Sequence, residues 1–238
     1  MHELLARLVL GLLVLATTGC GTVFSPPVRA LHAGMPGRLK GGDAAAGVDV
    51  GGPSVPAVVV PHVAFGLFDS ATLEAGANLA PADAVHGAMG WGGVRLARTL
   101  LEEDGWNVVG DTGLGLGAGL GGTFGADPSW TQLPAWGVSQ DLGLGVQWKV
   151  VGLYVRGRIE ASIGQHTPAA LHPTAMVGLE VRPFPWLSLG AGAGCGGHWS
   201  QPTGYASYPF WQGSLAVQWT MRSETPTSAP GANGASDH

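Results

Sequence analysis

Apolar residues alternate with small or polar residues along most of this chain, with the period of two that β-strands produce. In DLGLGVQW (141–148) one face collects Leu142, Leu144, Val146 and Trp148, and the other collects Asp141, Gly143, Gly145 and Gln147. In LYVRGRIEASI (153–163) the large polar residues Arg156, Arg158 and Glu160 share one face. The alternation predicts an all-β chain built from two-faced strands.

Turn-forming residues divide the alternating region into ten predicted strands, with eight as the alternative number. The strands are expected near 44–51, 57–68, 71–80, 85–101, 106–124, 136–149, 153–164, 173–182, 187–197 and 208–221. The connections at one end are short, at 68–72, 102–105, 149–152 and 182–185. Those at the other end are longer and rich in proline and aromatic residues, at 125–136, 164–173 and 197–209.

The glycine-rich stretch TGLGLGAGLGG (112–122) resembles a phosphate-binding loop at first sight. Gly117, Gly119 and Gly122 match G-x-G-x-x-G, which binds dinucleotides when it opens a helix after a buried strand. The residues that follow, GGTFGADPSW, have no helical period. The glycines are therefore interpreted as one face of a strand, and no cofactor is predicted.

The composition of the chain indicates which face of the predicted strands contacts water. The 238 residues include 41 glycines, and 11% are charged, against about 25% in ordinary soluble proteins. No apolar run approaches the roughly 20 residues of a spanning helix. The net charge of −5, with Lys40 and Lys149 as the only lysines, excludes a nucleic-acid partner. Such a chain favours strands whose apolar face lies outside.

Both ends of the chain differ from the alternating region. Residues 1–19 have the charged start and apolar stretch of a signal peptide. Thr17-Thr18-Gly19-Cys20 resembles the lipobox of bacterial lipoproteins, which implies that Cys20 is acylated; an ordinary secretory signal is the alternative. Residues 20–43 are interpreted as a tether, 44–221 as the folded domain and 222–238 as a disordered tail.

The strand pattern resembles the small outer-membrane β-barrel family. That resemblance implies an antiparallel up-and-down transmembrane barrel with apolar residues facing lipid and a narrow polar lumen. Two predicted tryptophan belts agree with it: Trp106, Trp148, Trp186 and Trp219 at the short-turn end, and Trp130, Trp136, Trp199 and Trp211 at the other. It further implies an outer-membrane location in a Gram-negative bacterium, membrane lipid as a partner, and long loops that contact an extracellular or envelope partner.

Six charged residues are predicted to form an ion-pair network inside the lumen: Asp141, Arg156, Arg158, Glu160, Glu180 and Arg182. Desolvated charges persist only when paired, and a loop centred near residue 168 would set Arg156 opposite Glu180. A register that slides by two residues would make Arg158 or Arg182 the partner of Glu180 instead. The alternative role of the network is a constriction in a narrow pore. Ten strands enclose too little space for a general porin.

Two histidine motifs are candidates for chemistry. His198 and Ser200 have the His-x-Ser spacing of outer-membrane lipid A deacylases, which they resemble, but no carboxylate follows from 201 to 222 to orient the histidine. His166 and His172 lack neighbouring metal ligands, so no metal site is predicted. The predicted function is a non-enzymatic outer-membrane barrel lipoprotein. The alternatives are a periplasmic lipid-anchored β-sandwich that binds a partner, a narrow pore, and a membrane acyl hydrolase.

Overall fold

The computed structural model describes residues 37, 39–52, 58–82, 85–121, 133–164, 167–201 and 204–221. Ten β-strands make up the fold: β1 (Asp43–Gly52), β2 (Val58–Phe68), β3 (Ala71–Ala82), β4 (Val85–Glu103), β5 (Trp106–Gly121), β6 (Leu133–Trp148), β7 (Val151–Gly164), β8 (Thr167–Phe184), β9 (Leu187–Ser200) and β10 (Gly204–Thr220). The predicted signal peptide, Cys20, His166, Trp130 and the predicted tail lie outside the described residues.

Every strand pairs antiparallel with its neighbours in sequence, and β1 also pairs with β10. The closing seam runs from Asp43 opposite Thr220 to Gly52 opposite Trp211. The sheet therefore forms a closed barrel without open edges. The predicted all-β, antiparallel up-and-down barrel with ten strands is confirmed. The eight-strand alternative and the β-sandwich alternative are wrong, because a sandwich would need two separate sheets.

Strands β8, β9 and β10 extend further than predicted at the end with the long loops. Only residues 165–166 separate β7 from β8, and only 201–203 separate β9 from β10. The sequence instead predicts loops over 164–173 and 197–209, because these segments contain proline and aromatic residues. Ala170 pairs with both Ser162 and Ser200, so strand pairing overrides the local preference for a turn.

The barrel carries its apolar side chains on the outside. Leu114 and Leu116 are 67% and 68% exposed, whereas Asp111 and Asp141 are 6% and 1% exposed. Successive residues point to opposite faces of a strand, so closing the barrel turns every second residue into the lumen. The predicted assignment of apolar residues to the outside and glycine and charge to the inside is confirmed for these strands.

The short turns gather at one end of the barrel. They are Asp69–Ser70, Asp104–Gly105, Lys149–Val150 and Pro185–Trp186. The segment before β1 joins this end, since the Gly42 backbone N–H donates to the Gly66 carbonyl at 2.8 Å and the Gly41 N–H donates to Asp69 Oδ1 at 3.2 Å. No helix in the described part of the chain is long and apolar enough to cross a membrane.

Candidate functional site

Six charged side chains from five neighbouring strands meet in the lumen, and we name them the central ion-pair cluster. They are Glu74 (β3), Arg95 (β4), Asp111 (β5), Asp141 (β6), and Arg156 and Arg158 (β7). Each of them occupies an inward position of its strand. Closure of the barrel therefore brings together residues that lie far apart in the sequence.

Arg95 lies at the centre of this cluster. Its Nε and Nη2 bind the two carboxylate oxygens of Glu74, with Nη2 to Oε2 at 3.1 Å. Its Nη1 donates to Asp111 Oδ2 at 3.1 Å, and Nη2 also donates to Asp141 Oδ2 at 3.3 Å. One planar guanidinium therefore connects carboxylates from three different strands, a role for which its fixed fork of donors is suited.

The two arginines of β7 complete the cluster. Arg156 Nη2 donates to Asp111 Oδ2 at 2.8 Å, so this oxygen accepts from two arginines. Arg158 binds both oxygens of Asp141, with Nη2 to Oδ2 at 3.1 Å. Three carboxylates thus face three guanidiniums, and the formal charges of the cluster cancel. A buried cluster of this kind is stable only while its members remain paired.

Glycines across the strands provide room for the cluster. Gly143 stands directly opposite Arg156, and Gly113 stands directly opposite Asp141. A Cβ atom added at Gly113 would lie 3.4 Å from Asp141 Oδ2, which is ordinary contact distance. The glycines of these alternating strands therefore leave space in which the long charged side chains extend across the lumen.

Glu180 and Arg182 form a separate pair at the short-turn end. Arg182 Nε donates to Glu180 Oε1 at 2.5 Å. The register places Arg156 opposite Met176, so the predicted alignment of Arg156 with Glu180 is wrong by four residues. The cause is the connection from β7 to β8, which occupies only residues 165–166 and turns the chain earlier than predicted.

A second set of inward polar residues lies at the other end of the lumen, and we name it the long-loop polar group. It comprises Glu160, Ser162, His172, His198 and Ser200, all of them buried. The Ser162 hydroxyl and His172 Nε2 are hydrogen-bonded at 2.9 Å, with side chains 3% and 2% exposed. His198 and Ser200, the predicted hydrolase candidates, also face the lumen.

Sequence reasoning missed Glu74, Arg95 and Asp111. Each had a signal in the period of two, because Glu74 lies between Leu73 and Ala75, and Arg95 lies between Val94 and Leu96. Asp111 immediately precedes the glycine-rich stretch that suggested a nucleotide loop. Extending the alternation through β3, β4 and β5 would have placed these residues on the inward face.

Other sites for chemistry are sparse in the described ranges. Within them, no group of three or more His, Cys, Asp or Glu side chains is arranged to hold a metal ion. Cys195 is a free, exposed cysteine on the outward face of β9. His62 lies with its Nδ1 3.9 Å from Asp49 Oδ2 on the β1–β2 side of the lumen.

No protein-family model and no curated protein sequence matches this chain. Among solved structures it is similar to the outer membrane protease OmpT from Escherichia coli, at 7% identity over 81% of this chain and 99% of that chain, with a TM-score of 0.33. It is also similar to the translocator domain of the autotransporter NalP from Neisseria meningitidis, at 16% identity over 74% and 86%, with a TM-score of 0.35. Likenesses this distant carry no conclusion about activity.

Proposed function

We propose that this chain is a membrane-spanning β-barrel lipoprotein of the outer membrane of a Gram-negative bacterium, with a non-enzymatic structural or surface-interaction role. The observation that carries the proposal is the inside-out distribution of side chains on a closed barrel. Leucines such as Leu114 and Leu142 are outside, and Arg95, Asp111 and Asp141 are inside. Hydrocarbon tolerates only structures whose backbone groups are paired internally, and a closed barrel meets that condition.

The height of the outer apolar surface supports a bilayer. On β6, Trp148 follows Trp136 by twelve residues, and the outward residues between them are mostly apolar. Twelve residues at about 3.4 Å each, tilted by about 40°, span roughly 31 Å along the barrel axis. That height is close to the hydrocarbon thickness of about 30 Å, with tryptophan at both interfaces.

The distribution of exposed charge supports one orientation. All exposed Asp, Glu, Lys and Arg residues in the described ranges lie at the short-turn end: Lys40, Asp69, Arg98, Glu102, Glu103, Asp104 and Lys149. Short turns of outer-membrane barrels face the periplasm. The segment before β1 enters at this same end, so a lipid on Cys20 would sit in the periplasmic leaflet.

The contents of the lumen support a role other than conduction. The central ion-pair cluster crosses from β3 to β7, and Tyr154 and Met176 are buried beside it. Opening a path would require breaking buried ion pairs, which cost several kcal/mol each to separate. We therefore favour a filled barrel over the narrow-pore alternative, and we assign contact with an extracellular or envelope partner to the long-loop end.

Membrane extraction tests the proposal. Envelopes containing the wild type or Cys20→Ala are washed with alkaline carbonate, which releases peripheral and lipid-tethered soluble domains. Both chains should stay in the membrane pellet, because the barrel itself spans the bilayer. Release of Cys20→Ala into the wash would show that the barrel does not span, and that only its anchor had held it.

The anchor has its own test. A radiolabelled fatty acid should be incorporated into the wild type and not into Cys20→Ala. Cys195→Ala is the matched control and should be labelled like the wild type, because Cys195 lies on a barrel strand. Equal labelling of Cys20→Ala and the wild type would remove the lipoprotein part of the proposal.

A further inference from the structure

One polar residue stands out on the lipid-facing wall. Gln140 occupies an outward position of β6 between Trp136 and Trp148, and its side chain is exposed. Of the outward residues of β5, β6 and β7, only Thr112 and Gln140 are polar. The two differ in how their polar atoms are satisfied.

Thr112 is satisfied within the barrel, whereas Gln140 is not. The Thr112 hydroxyl donates to the Asp141 carbonyl at 3.0 Å on the neighbouring strand. The Gln140 side-chain amide makes no hydrogen bond to any residue that the structure describes. A carboxamide exposed to hydrocarbon loses its hydrogen bonds to water and gains none from acyl chains, so it is costly unless a polar partner covers it.

The surroundings of Gln140 have the form of an interface. It lies directly opposite Leu114 on β5 and Ile159 on β7, with Leu142 two residues further along β6. These three side chains are 67%, 63% and 61% exposed, among the most protruding on the barrel. The amide thus lies within a ring of projecting apolar side chains, which resembles the arrangement of a polar hot spot shielded from its surroundings.

Two apolar grooves adjoin Gln140 on the outer wall. One, of about 1240 Å³, is lined by Gln140 itself, by Leu114 and Ile159, and by small residues of β3 and β4 such as Ala75 and Gly92. Toward β8 and β9 lies the other, of about 450 Å³, at Gly157, Ala175 and Cys195.

We propose that the Gln140 face is a dimer interface whose occupant is a second copy of this chain. A carboxamide is both donor and acceptor, so two Gln140 side chains facing each other across a two-fold axis satisfy one another. The projecting side chains of Leu114 and Ile159, which stand directly opposite Gln140 on β5 and β7, then pack around the paired amides. The inference rests on the proposed membrane-spanning barrel.

The test uses the full chain in lipid bilayers, with dimer formation measured by energy transfer between labelled copies over a range of protein-to-lipid ratios. The wild type should dimerise. Gln140→Leu should need an about tenfold higher protein-to-lipid ratio to reach the same dimer fraction, because it removes the paired amides. Thr112→Val is the matched control and should dimerise like the wild type.

Site-directed cross-linking locates the contact even if Gln140→Leu folds poorly. In a Cys195→Ala background, Gln140→Cys should form a disulfide-linked dimer, and Leu215→Cys on β10 should not. Folding of each variant is checked by its resistance to unfolding in sodium dodecyl sulfate before heating.

Three results would overturn the dimer: an inserted wild type that stays monomeric at the highest ratio, a Gln140→Leu chain that dimerises as well as the wild type, or cross-links at Leu215 alone. A monomeric chain that resists carbonate extraction refutes the dimer and leaves the membrane barrel intact. A chain that carbonate releases refutes both.

Discussion

The two sides of the lumen are filled in different ways. On the side formed by β3 to β7, inward carboxylates and guanidiniums pair in the central ion-pair cluster. On the opposite side, β9 and β10 contain no Asp, Glu, Lys or Arg. There β9 turns a row of glycines inward, Gly190, Gly192, Gly194 and Gly196, and Gly178 on β8 stands directly opposite Gly192. Tyr154 and Met176, with Phe210 against them, pack over this glycine wall.

The difference shows that two kinds of interaction stabilise the lumen: ion pairs on one side and close packing against glycines on the other. The charged side is sensitive to the loss of a group, because each ion pair removed leaves a buried partner charge uncompensated. The glycine side is sensitive to the gain of a group, because a Cβ at Gly178 would overlap the Tyr154 ring and one at Gly192 would overlap the end of Met176. Substitutions that remove charge and substitutions that add a methyl group therefore test the two sides separately.

Removing the central guanidinium should have the largest effect. Arg95→Met leaves Glu74, Asp111 and Asp141 facing two arginines, so the free energy of unfolding should fall by about 3 to 5 kcal/mol. Urea unfolding in bilayers, followed by tryptophan fluorescence, measures the loss. Arg98→Met is the control and should change stability by less than about 0.5 kcal/mol, because Arg98 is exposed. Equal stability of the two variants would contradict the central role of Arg95.

Adding a methyl group to the glycine side should have the next largest effect. A Cβ at Gly178 meets the Tyr154 ring and lies 2.7 Å from the Ala191 carbonyl oxygen. Gly178→Ala should therefore destabilise the barrel by about 1 to 3 kcal/mol. Gly113→Ala has ordinary contact distances and should be neutral or slightly stabilising in the same unfolding assay. Equal losses of stability for Gly178→Ala and Gly113→Ala would show that steric fit does not distinguish the two sides of the lumen.

Coupling within the cluster should be somewhat smaller. Asp141→Leu and Arg158→Met each break the pair that these residues form. The double variant should recover about 1 to 3 kcal/mol relative to the sum of the single losses, because it leaves neither charge without the other. A double-mutant cycle in the unfolding assay gives this energy directly. Strict additivity would mean that the two side chains do not stabilise one another.

The pair at the short-turn end should matter least. Arg182 is 32% exposed, so water and salt screen its interaction with Glu180. Arg182→Gln should reduce stability by less than about 1 kcal/mol, and added salt should diminish the difference from the wild type. A loss of stability as large as that of Arg95→Met, and insensitive to salt, would show that the Glu180–Arg182 pair is as desolvated as the central ion-pair cluster.

The period of two was enough to predict the architecture. Strict alternation assigns each residue to one face, so the ten strands, the outward leucines and the inward positions of Asp141, Arg156 and Arg158 followed from the sequence. Alternation does not depend on loop length, which explains why the faces were correct even where the register was not.

Register and partners could not be read from the sequence. Two residues between β7 and β8, in place of a ten-residue loop, moved Arg156 from Glu180 to Met176. The pairs of Arg95 join β4 to β3, β5 and β6, and they depend on how the closed barrel directs long side chains across the lumen. Single-strand patterns contain no information on that direction.

Spin-label accessibility at Leu142 tests most directly whether the apolar face of this barrel contacts lipid. A nitroxide is attached to Leu142→Cys in a chain carrying Cys20→Ala and Cys195→Ala, reconstituted in bilayers, with Lys149→Cys at a short turn as the aqueous reference. The Leu142 label should collide frequently with oxygen, which dissolves in hydrocarbon, and rarely with a water-soluble nickel complex. If the nickel complex reaches the Leu142 label as often as it reaches the Lys149 label, the apolar face is in water and the inside-out barrel is wrong.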